Sequence, residues 1–417
     1  MEIKKLKFDK VNEYIYYYKT SNNLEVYMYK NKKNKEVKAS FVAKYGSKDN
    51  NFYSYNLKKY IEVPNGIAHF LEHKMFEYKI NPFEFFSKNS ADCNAYTYFD
   101  RTCYYFDCNK NFYKNLSFLI NYVSNPNFTD ENVEKEKGII KQEIIMYEDY
   151  LEEVLTNTVF NNLFVNDYMK YNIAGRVEDV MKITKEDLYE CYNAFYNPTN
   201  MFLVVSGNFN VAKTVDIIEK LSTKKSLELK IKDFDEPDNV LNKYEEVIKN
   251  VKVPLIGFGI KINNKNKDIN SISYFEEKLY LSIIVNYLFG KTSNLVMNLK
   301  KDKLISNDLD YSIIKAKYHD VLYIETRSLN YSEVIKRIEN AILNFKISKE
   351  YFNRRKKVMI SNYIRVFDEI KEVDSYIIDS IINYNKVHFD KYKILKNLEY
   401  NNINFDLSNY TVTVIKN

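Results

Sequence analysis

His69-Phe70-Leu71-Glu72-His73 is the segment around which this sequence is best understood, because it holds two of the chain's four histidines and places a glutamate beside the second. If the segment is helical, as its neighbours on both sides indicate, the two histidines lie one turn apart on the same face. That spacing suits a zinc ion, and Glu72 is close enough to act on water at the ion as a general base without being a ligand. The alternative is two incidental histidines on a buried helix.

Length and composition predict two domains without a nucleic-acid or membrane role. The 417 residues exceed one ordinary domain, and 45% of them are apolar, which is enough to bury substantial cores. Lys and Arg outnumber Asp and Glu by 62 to 56 without forming a basic stripe, so we expect no nucleic-acid partner. No apolar stretch approaches the length of a membrane span.

The N-terminus and the cysteines indicate a cytoplasmic protein. Residues 1–9 have neither the apolar core of a signal peptide nor the Arg- and Ser-rich character of a transit peptide. The four cysteines form no C-x-x-C pair, zinc-finger spacing or disulfide framework, which fits a reducing compartment. They are Cys93, Cys103, Cys108 and Cys191.

Strands and helices alternate in both halves of the sequence. Alternating apolar residues predict strands at 24–29 and 37–43, before the histidine helix. The later predicted elements of this half are a strand or strand pair at 95–107, a helix at 113–123, one long helix from 133 to about 164 with Asp130 as N-cap, a helix from N-cap Thr184 to near Pro198, and a buried strand at 201–206.

A polar segment separates the two halves. Residues 222–246 are charged, contain Pro237 and lack periodicity, so they are predicted to be a linker between an N-terminal metal-binding domain, 1–221, and a C-terminal domain, 247–417, without the histidine motif. The second half has predicted strands at 253–261 and 322–327 and helices at 272–289 and 331–345. Two similarly built halves of α+β class follow.

The long helix offers carboxylates for an incomplete metal site. A catalytic zinc usually has three protein ligands, so two histidines leave one position to fill. Glu136 and Glu143, almost two turns apart, lie at the centre of an apolar face. Burying an unpaired, charged carboxylate there would cost on the order of several kcal/mol, or the carboxylate would become protonated and neutral. Both are therefore predicted to bind the metal or support its ligands. The apolar face comprises Ile139, Ile140, Ile144, Met146, Tyr147, Tyr150, Leu151 and Val154.

This arrangement resembles the inverzincin peptidases, the family of pitrilysin, insulin-degrading enzyme and mitochondrial processing peptidase. An H-x-x-E-H motif is followed about seventy residues later by two glutamates seven apart, and similar landmarks span most of the N-terminal half at 66–76, 94–97, 134–144, 173–175 and 196–201. The C-terminal half resembles the family only in length and strand-helix pattern. The resemblance implies two halves, each a mostly antiparallel sheet with helices on one face, forming half of a clam-shell.

The resemblance also implies an activity and the residues that perform it. His69, His73 and Glu143 would bind one Zn²⁺ per chain, Glu72 would activate water, and Glu136 would hold the ligands from behind, in a metalloendopeptidase acting on short or unfolded peptides. Two further sets would bind substrate: the edge strand formed by Asn94, Ala95 and Tyr96 through backbone hydrogen bonds, and Phe76 through a side-chain pocket. An ordinary strand start and a core phenylalanine are the alternatives for these.

One feature of the family is missing. Active members carry an Arg and a Tyr about seven residues apart in the C-terminal half, where this chain has Lys300 and Asn307, and lysine lacks the forked donor geometry of arginine. Tyr311 is a candidate substitute. We therefore expect a heterodimer with a related chain that supplies the pair, with a homodimer as the alternative.

Two other functions compete with a general peptidase. The family includes non-catalytic structural subunits of respiratory complexes, although a scaffold has no need of Glu72 or of a buried Glu143. The third function is a dedicated maturation protease for one modified protein or peptide product.

Overall fold

The computed structural model describes residues 2–400 and 405–417, which form two compact α+β units. The first comprises the chain up to Ile144 with Asn172–Asp233 and Asn362–Tyr392, and the second comprises Ile145–Tyr171, Phe234–Ser361 and the chain from Lys393. The predicted fold class is confirmed. The predicted domains 1–221 and 247–417 differ from these units because each unit takes one segment from the other half of the sequence.

A seven-stranded sheet forms the centre of the first unit. Its neighbouring strands are antiparallel except for the parallel pair β3 and β9. In spatial order the strands are β1 (Lys4–Lys7), β2 (Tyr14–Lys19), β3 (Glu25–Lys30), β9 (Met201–Gly207), β4 (Val37–Ala43), β8 (Thr102–Cys108) and β7 (Ala91–Thr97). A separate hairpin consists of β5 (Asn51–Ser54) and β6 (Lys59–Glu62).

Helices that belong mainly to the first unit pack around this sheet. They are α1 (Ile67–Met75), α2 (Pro82–Lys88), α3 (Phe112–Ser124), α4 (Asp130–Tyr147), α6 (Val177–Val180), α7 (Lys185–Phe195), α8 (Val211–Leu221) and α13 (Ile370–Tyr384). No helix in the described part of the chain is long and apolar enough to cross a membrane.

The second unit is built on a five-stranded sheet with one parallel pair, β10 and β14. In spatial order its strands are β10 (Tyr244–Ile248), β14 (Tyr410–Lys416), β11 (Leu255–Asn263), β13 (His319–Arg327) and β12 (Asp310–Ile314). Its helices are α5 (Leu151–Leu163), α9 (Ile272–Phe289), α10 (Asn294–Lys301), α11 (Tyr331–Asn344), α12 (Lys349–Arg365), which runs into the first unit, and α14 (Lys391–Asn397), which begins in it.

The long helix predicted from 133 to 164 is wrong as a single element. The chain forms α4 and α5, separated at residues 148–150, where Tyr150 takes an extended backbone conformation. The break allows α4 to pack in the first unit and α5 in the second. Thr129, rather than the predicted Asp130, caps α4, because its side-chain oxygen accepts the Asn132 amide.

The predicted apolar face of α4 is also wider than the face that is buried. Ile139 and Met146 are 48% and 45% exposed, although both were assigned to that face. The buried stripe is narrower and includes charged residues. Its members are Val133, Glu136, Lys137, Ile140 and Ile144.

One helix packs closely against the central strands of each sheet. In the first unit, α13 packs against β3, β4 and β9 on the face that carries the buried Val42 and Val204. In the second, α5 packs on β11 at Gly257 and Gly259, where added Cβ atoms would lie 2.8 Å and 2.6 Å from the side chain of Val159. These glycines allow the close approach of α5.

The predicted linker is partly ordered against the second unit. Glu236 is buried, and its carboxylate pairs with Lys261 on β11 at 2.6 Å between Oε1 and Nζ. It also accepts the backbone amides that follow α5, those of Val165, Asn166 and Asp167. A buried pair of this kind is stable only when further hydrogen bonds satisfy it, as these do. Residues 234–246 therefore lie within the second unit, up to β10.

Replacing Asp374 should remove a pH-dependent loss of stability. Asp374 on α13 is fully buried under β4, where Ser40 donates to it at 2.8 Å, and burial raises the pKa of its carboxyl to about 7. Its unfolded pKa is about 3.9, so the native state holds the proton more tightly and loses stability as pH rises from about 4 to about 7. Asp374→Asn should gain on the order of a few kcal/mol relative to wild type above pH 7.

Urea unfolding of both proteins between pH 5 and 8 measures this difference. Asp216→Asn, which removes an exposed carboxylate of α8, is the control for loss of charge alone. Parallel stability curves for wild type and Asp374→Asn across this range would contradict the assignment.

Candidate metal centre

Two glycines fix the start of the helix that carries the histidine motif. Gly66 precedes α1 with φ of +87°, and Gly175 approaches it with φ of +79°. A Cβ on Gly66 would lie 2.3 Å from the Ala174 carbonyl oxygen, and one on Gly175 would lie 2.5 Å from that of Asn65. Only glycine accommodates both the left-handed conformation and this contact. The start of α1 is therefore held against the segment around Gly175.

Helix α1 places its apolar residues in the core and both histidines on its opposite side. Ile67, Phe70 and Leu71 are fully buried. The rings of His69 and His73, one turn apart, are partly exposed with their centroids 4.6 Å from each other. The predicted helical spacing thus brings the two imidazoles together.

Helix α4 brings Glu143 to both histidines. Its Oε2 atom lies 3.8 Å from Nε2 of His69 and 3.5 Å from Nε2 of His73. One ligand atom from each of the three residues lies within 4.8 Å of the others, and the described residues contain no other such cluster. Tetrahedral zinc with bonds of about 2.0–2.1 Å separates its ligand atoms by about 3.4 Å. Two nitrogens and one carboxylate oxygen at these distances fit zinc.

Glu136 lies behind His73. Its Oε1 atom is 3.0 Å from Nδ1 of His73, so a proton on Nδ1 leaves Nε2 directed towards Glu143. Burial alone would raise the pKa of Glu136, but the hydrogen bond and the positive charges of His73 and Lys74 outweigh it and lower the pKa. The structure thus places the two carboxylates differently, with Glu143 near both histidines and Glu136 behind His73.

The two histidines differ in their electrostatic surroundings. Burial, followed by the neighbouring His73, lowers the pKa of His69 to about 3, so its imidazole is neutral at pH 7. Burial also opposes the charge of His73, but the hydrogen bond to Glu136 and the carboxylate of Glu143 outweigh burial and raise the pKa of His73. A bound cation would take the place of the proton on Nε2 of His73, while the proton on Nδ1 stays with Glu136.

Glu72 has a partner that the sequence did not reveal. The Thr97 hydroxyl donates to Oε2 of Glu72 at 2.6 Å. Burial raises the pKa of the Glu72 carboxyl, with a further contribution from Glu143, while the hydrogen bond from Thr97 acts in the opposite direction. Thr97 closes the 94–97 landmark, which the sequence assigned only to backbone contacts. The 94–97 landmark was therefore the sequence signal from which a role for Thr97 could have been inferred.

The predicted substrate-binding residues lie on β7 and at the end of α1. Asn94, Ala95 and Tyr96 are on β7, which among the described strands pairs with β8 alone and forms one edge of the sheet. Phe76 follows α1, is half-buried and stacks on the exposed Phe83 with ring centroids 4.7 Å apart. Their binding roles stay predictions.

Lys300 and Asn307 line a cavity of about 640 Å³ in the second unit, together with Tyr311. The ammonium group of Lys300 lies 2.5 Å from the Asp308 carboxylate. The Tyr311 hydroxyl accepts a hydrogen bond from the Asn286 amide at 3.1 Å. Lys300 is thus already engaged by a carboxylate of its own chain.

Comparison with known proteins matches both halves of the chain. Residues 59–176 match the model of the insulinase family, peptidase family M16, and residues 182–359 match that of the peptidase M16 inactive domain. An uncharacterized zinc protease of Bacillus subtilis, YmfH, is 38% identical over 296 residues, which cover 70% of this chain and 69% of that protein.

Two further relatives extend the comparison. The beta subunit of the mitochondrial-processing peptidase of Caenorhabditis elegans is 31% identical over 167 residues, 38% of this chain and 36% of that protein. The crystal structure of an M16-like peptidase from Alicyclobacillus acidocaldarius aligns with a TM-score of 0.89 and 26% identity, covering 97% of this chain and 99% of that one.

Glu136→Gln should weaken zinc binding by about tenfold to a hundredfold, because a neutral amide leaves His73 a poorer ligand than a carboxylate does. Competition with a chelating dye measures the dissociation constant. Glu134→Gln is the matched control, since Glu134 is on the same helix but is exposed and paired with Lys137. Equal zinc affinity for wild type and Glu136→Gln would refute the supporting role.

Proposed function

The chain belongs to the insulinase family of peptidases, family M16, as its sequence resemblance indicated, and we propose that it is a zinc metalloendopeptidase acting on short or unfolded peptides. The observation that carries this proposal is the meeting of His69, His73 and Glu143 beside Glu72. One Zn²⁺ per chain would be held by these three ligands.

The proposed chemistry is general-base hydrolysis. When bound, zinc supplies Lewis-acid activation of water and of the scissile carbonyl. Glu72 takes the proton of the attacking water on the oxygen that Thr97 does not occupy and passes it to the leaving amine, a contribution of about 10² to 10⁴ in rate. Glu136 holds His73 in the tautomer that directs Nε2 to the metal.

An extended peptide is the substrate that best suits the site. The outer edge of β7 offers backbone donors and acceptors to one further strand, in which Asn94, Ala95 and Tyr96 would pair with the substrate. Phe76, with Phe83 stacked on it, would contact an apolar side chain. Because only an extended segment can add to a sheet edge, folded proteins should be poor substrates.

A partner chain is part of the proposal. Lys300 and Asn307 occupy the positions where the resemblance predicts Arg and Tyr. Lys300 also pairs with Asp308, which makes it a still poorer replacement for the Arg. We therefore infer a heterodimer with a related chain that carries the pair, and a homodimer is the alternative. The relative from Caenorhabditis elegans is itself named as a subunit.

A structural subunit without activity is the second candidate function. The family model for residues 182–359 is described as an inactive domain, which favours it. The complete set of Glu72, Glu136 and the three ligand residues favours catalysis, because a scaffold has no need for carboxylates in these surroundings. A dedicated maturation protease shares the chemistry and differs in substrate range.

A cytoplasmic location is supported by four free thiols.

Glu72→Gln should abolish peptide cleavage without loss of the metal. Gln cannot accept the water proton, so kcat/KM on a quenched peptide library should fall at least about a hundredfold while zinc content stays near one per chain. Glu134→Gln, which changes an exposed carboxylate on α4 that pairs with Lys137, is the control. Equal cleavage by wild type and Glu72→Gln would sink the proposal.

Mixing the chain with a related chain that carries Arg and Tyr should raise its activity at least about tenfold, because that pair would complete substrate binding. Titration of the partner, followed by light scattering and by cleavage of the same library, measures this effect. Full activity in a pure monomer or homodimer would refute the need for a second kind of chain.

A further inference from the structure

Thr97 is the last residue of β7 and directs its hydroxyl to Glu72. The distance of 2.6 Å from Oγ1 to Oε2 of the carboxylate is short, as expected when a neutral donor meets a charged acceptor. The side chains of both residues are partly buried. One oxygen of Glu72 is therefore tied to the edge strand.

The neighbouring threonine is the weaker of two acceptors within reach of the Thr97 hydroxyl. Thr102 on β8 stands opposite Thr97, with the two hydroxyl oxygens 3.4 Å apart. Thr102 is fully buried and donates its own proton to the Tyr45 carbonyl oxygen at 2.9 Å. Thr102 could therefore only accept from Thr97, and the 2.6 Å contact to the Glu72 carboxylate is a stronger hydrogen bond than one of 3.4 Å to a hydroxyl, so the proton of Thr97 is directed to Glu72.

The turn after Thr97 is anchored from α13. Tyr98 and Arg101 close the β7–β8 turn through a backbone hydrogen bond of 2.8 Å. The Arg101 guanidinium lies over the Tyr98 ring and donates to Asp379 of α13 at 2.7 Å. Because both strands and the turn are fixed, Thr97 has a defined position relative to α1.

We propose that Thr97 is a positioning residue that fixes the rotamer of Glu72, so that the second carboxylate oxygen is presented to water. Thr97 acts through Glu72 and directly follows Asn94, Ala95 and Tyr96, the strand residues proposed to pair with substrate. The same strand therefore aligns the peptide and the general base. This inference rests on the proposed peptidase function.

Three substitutions test it on the zinc-loaded full-length chain. Thr97→Val keeps the shape but removes the donor, and should lower kcat by about tenfold to a hundredfold with KM within about twofold, because the backbone of β7 is unchanged. Thr97→Ser keeps the hydroxyl and should restore most of kcat. If Thr97→Val fails to fold, Thr97→Ala provides the same comparison.

Readouts other than activity separate positioning from general damage. Zinc content and melting temperature of Thr97→Val should match those of Thr214→Val, which deletes a buried hydroxyl that donates to the Asn210 carbonyl oxygen at the start of α8. A crystal structure of Thr97→Val should show Glu72 in another or a mixed rotamer.

Two outcomes would overturn the inference: wild-type kcat in Thr97→Val, or a loss in Thr97→Ser as large as in Thr97→Val. If Glu72→Gln also retains full activity, the proposed function fails. If Glu72→Gln is inactive while Thr97→Val is normal, only the role of Thr97 fails.

Discussion

The hydrogen bond between Glu136 and His73 is the interaction on which the arrangement of the centre depends. Glu136 is 5% exposed, in a buried stripe of α4 that also holds Val133 and Ile140. A carboxylate there is stable only with compensation, which comes from His73 at 3.0 Å and from the buried Lys74, whose Nζ lies 4.0 Å away. The same bond orients His73 towards Glu143.

Exchange of segments between the two halves is the second constraint. Helix α13, from late in the sequence, covers the first sheet, and α5, from the first half, covers the second. The buried pair of Glu236 and Lys261 then ties the polar segment before β10 to β11 and to the end of α5. Each sheet is covered in part by a helix from the other half of the sequence. Either half expressed alone would therefore leave part of its sheet uncovered.

Local patterns located the elements that the sequence predicted, because each is governed by short-range chemistry, but they left β1, β2, α12, α13 and β14 among those unpredicted. Strand β4 has its predicted bounds, α9 matches its prediction, and Thr184 caps α7 in a capping box with Asp187. The failures occur where distant packing decides. The break at 148–150 and the exposure of Ile139 and Met146 depend on which unit each turn contacts, and helical periodicity carries no such information.

The sequence by itself determined the spacing of His69, Glu72 and His73, the seven-residue separation of Glu136 and Glu143, and the α+β class, because helical geometry converts spacing directly into position on a face. The family resemblance assigned different roles to Glu143 and Glu136, but only the tertiary structure gave the distances of these carboxylates from the histidines and the hydrogen bond from Thr97 to Glu72. Those contacts join α1, α4 and β7. Their distances follow from how the core packs, which no single segment encodes.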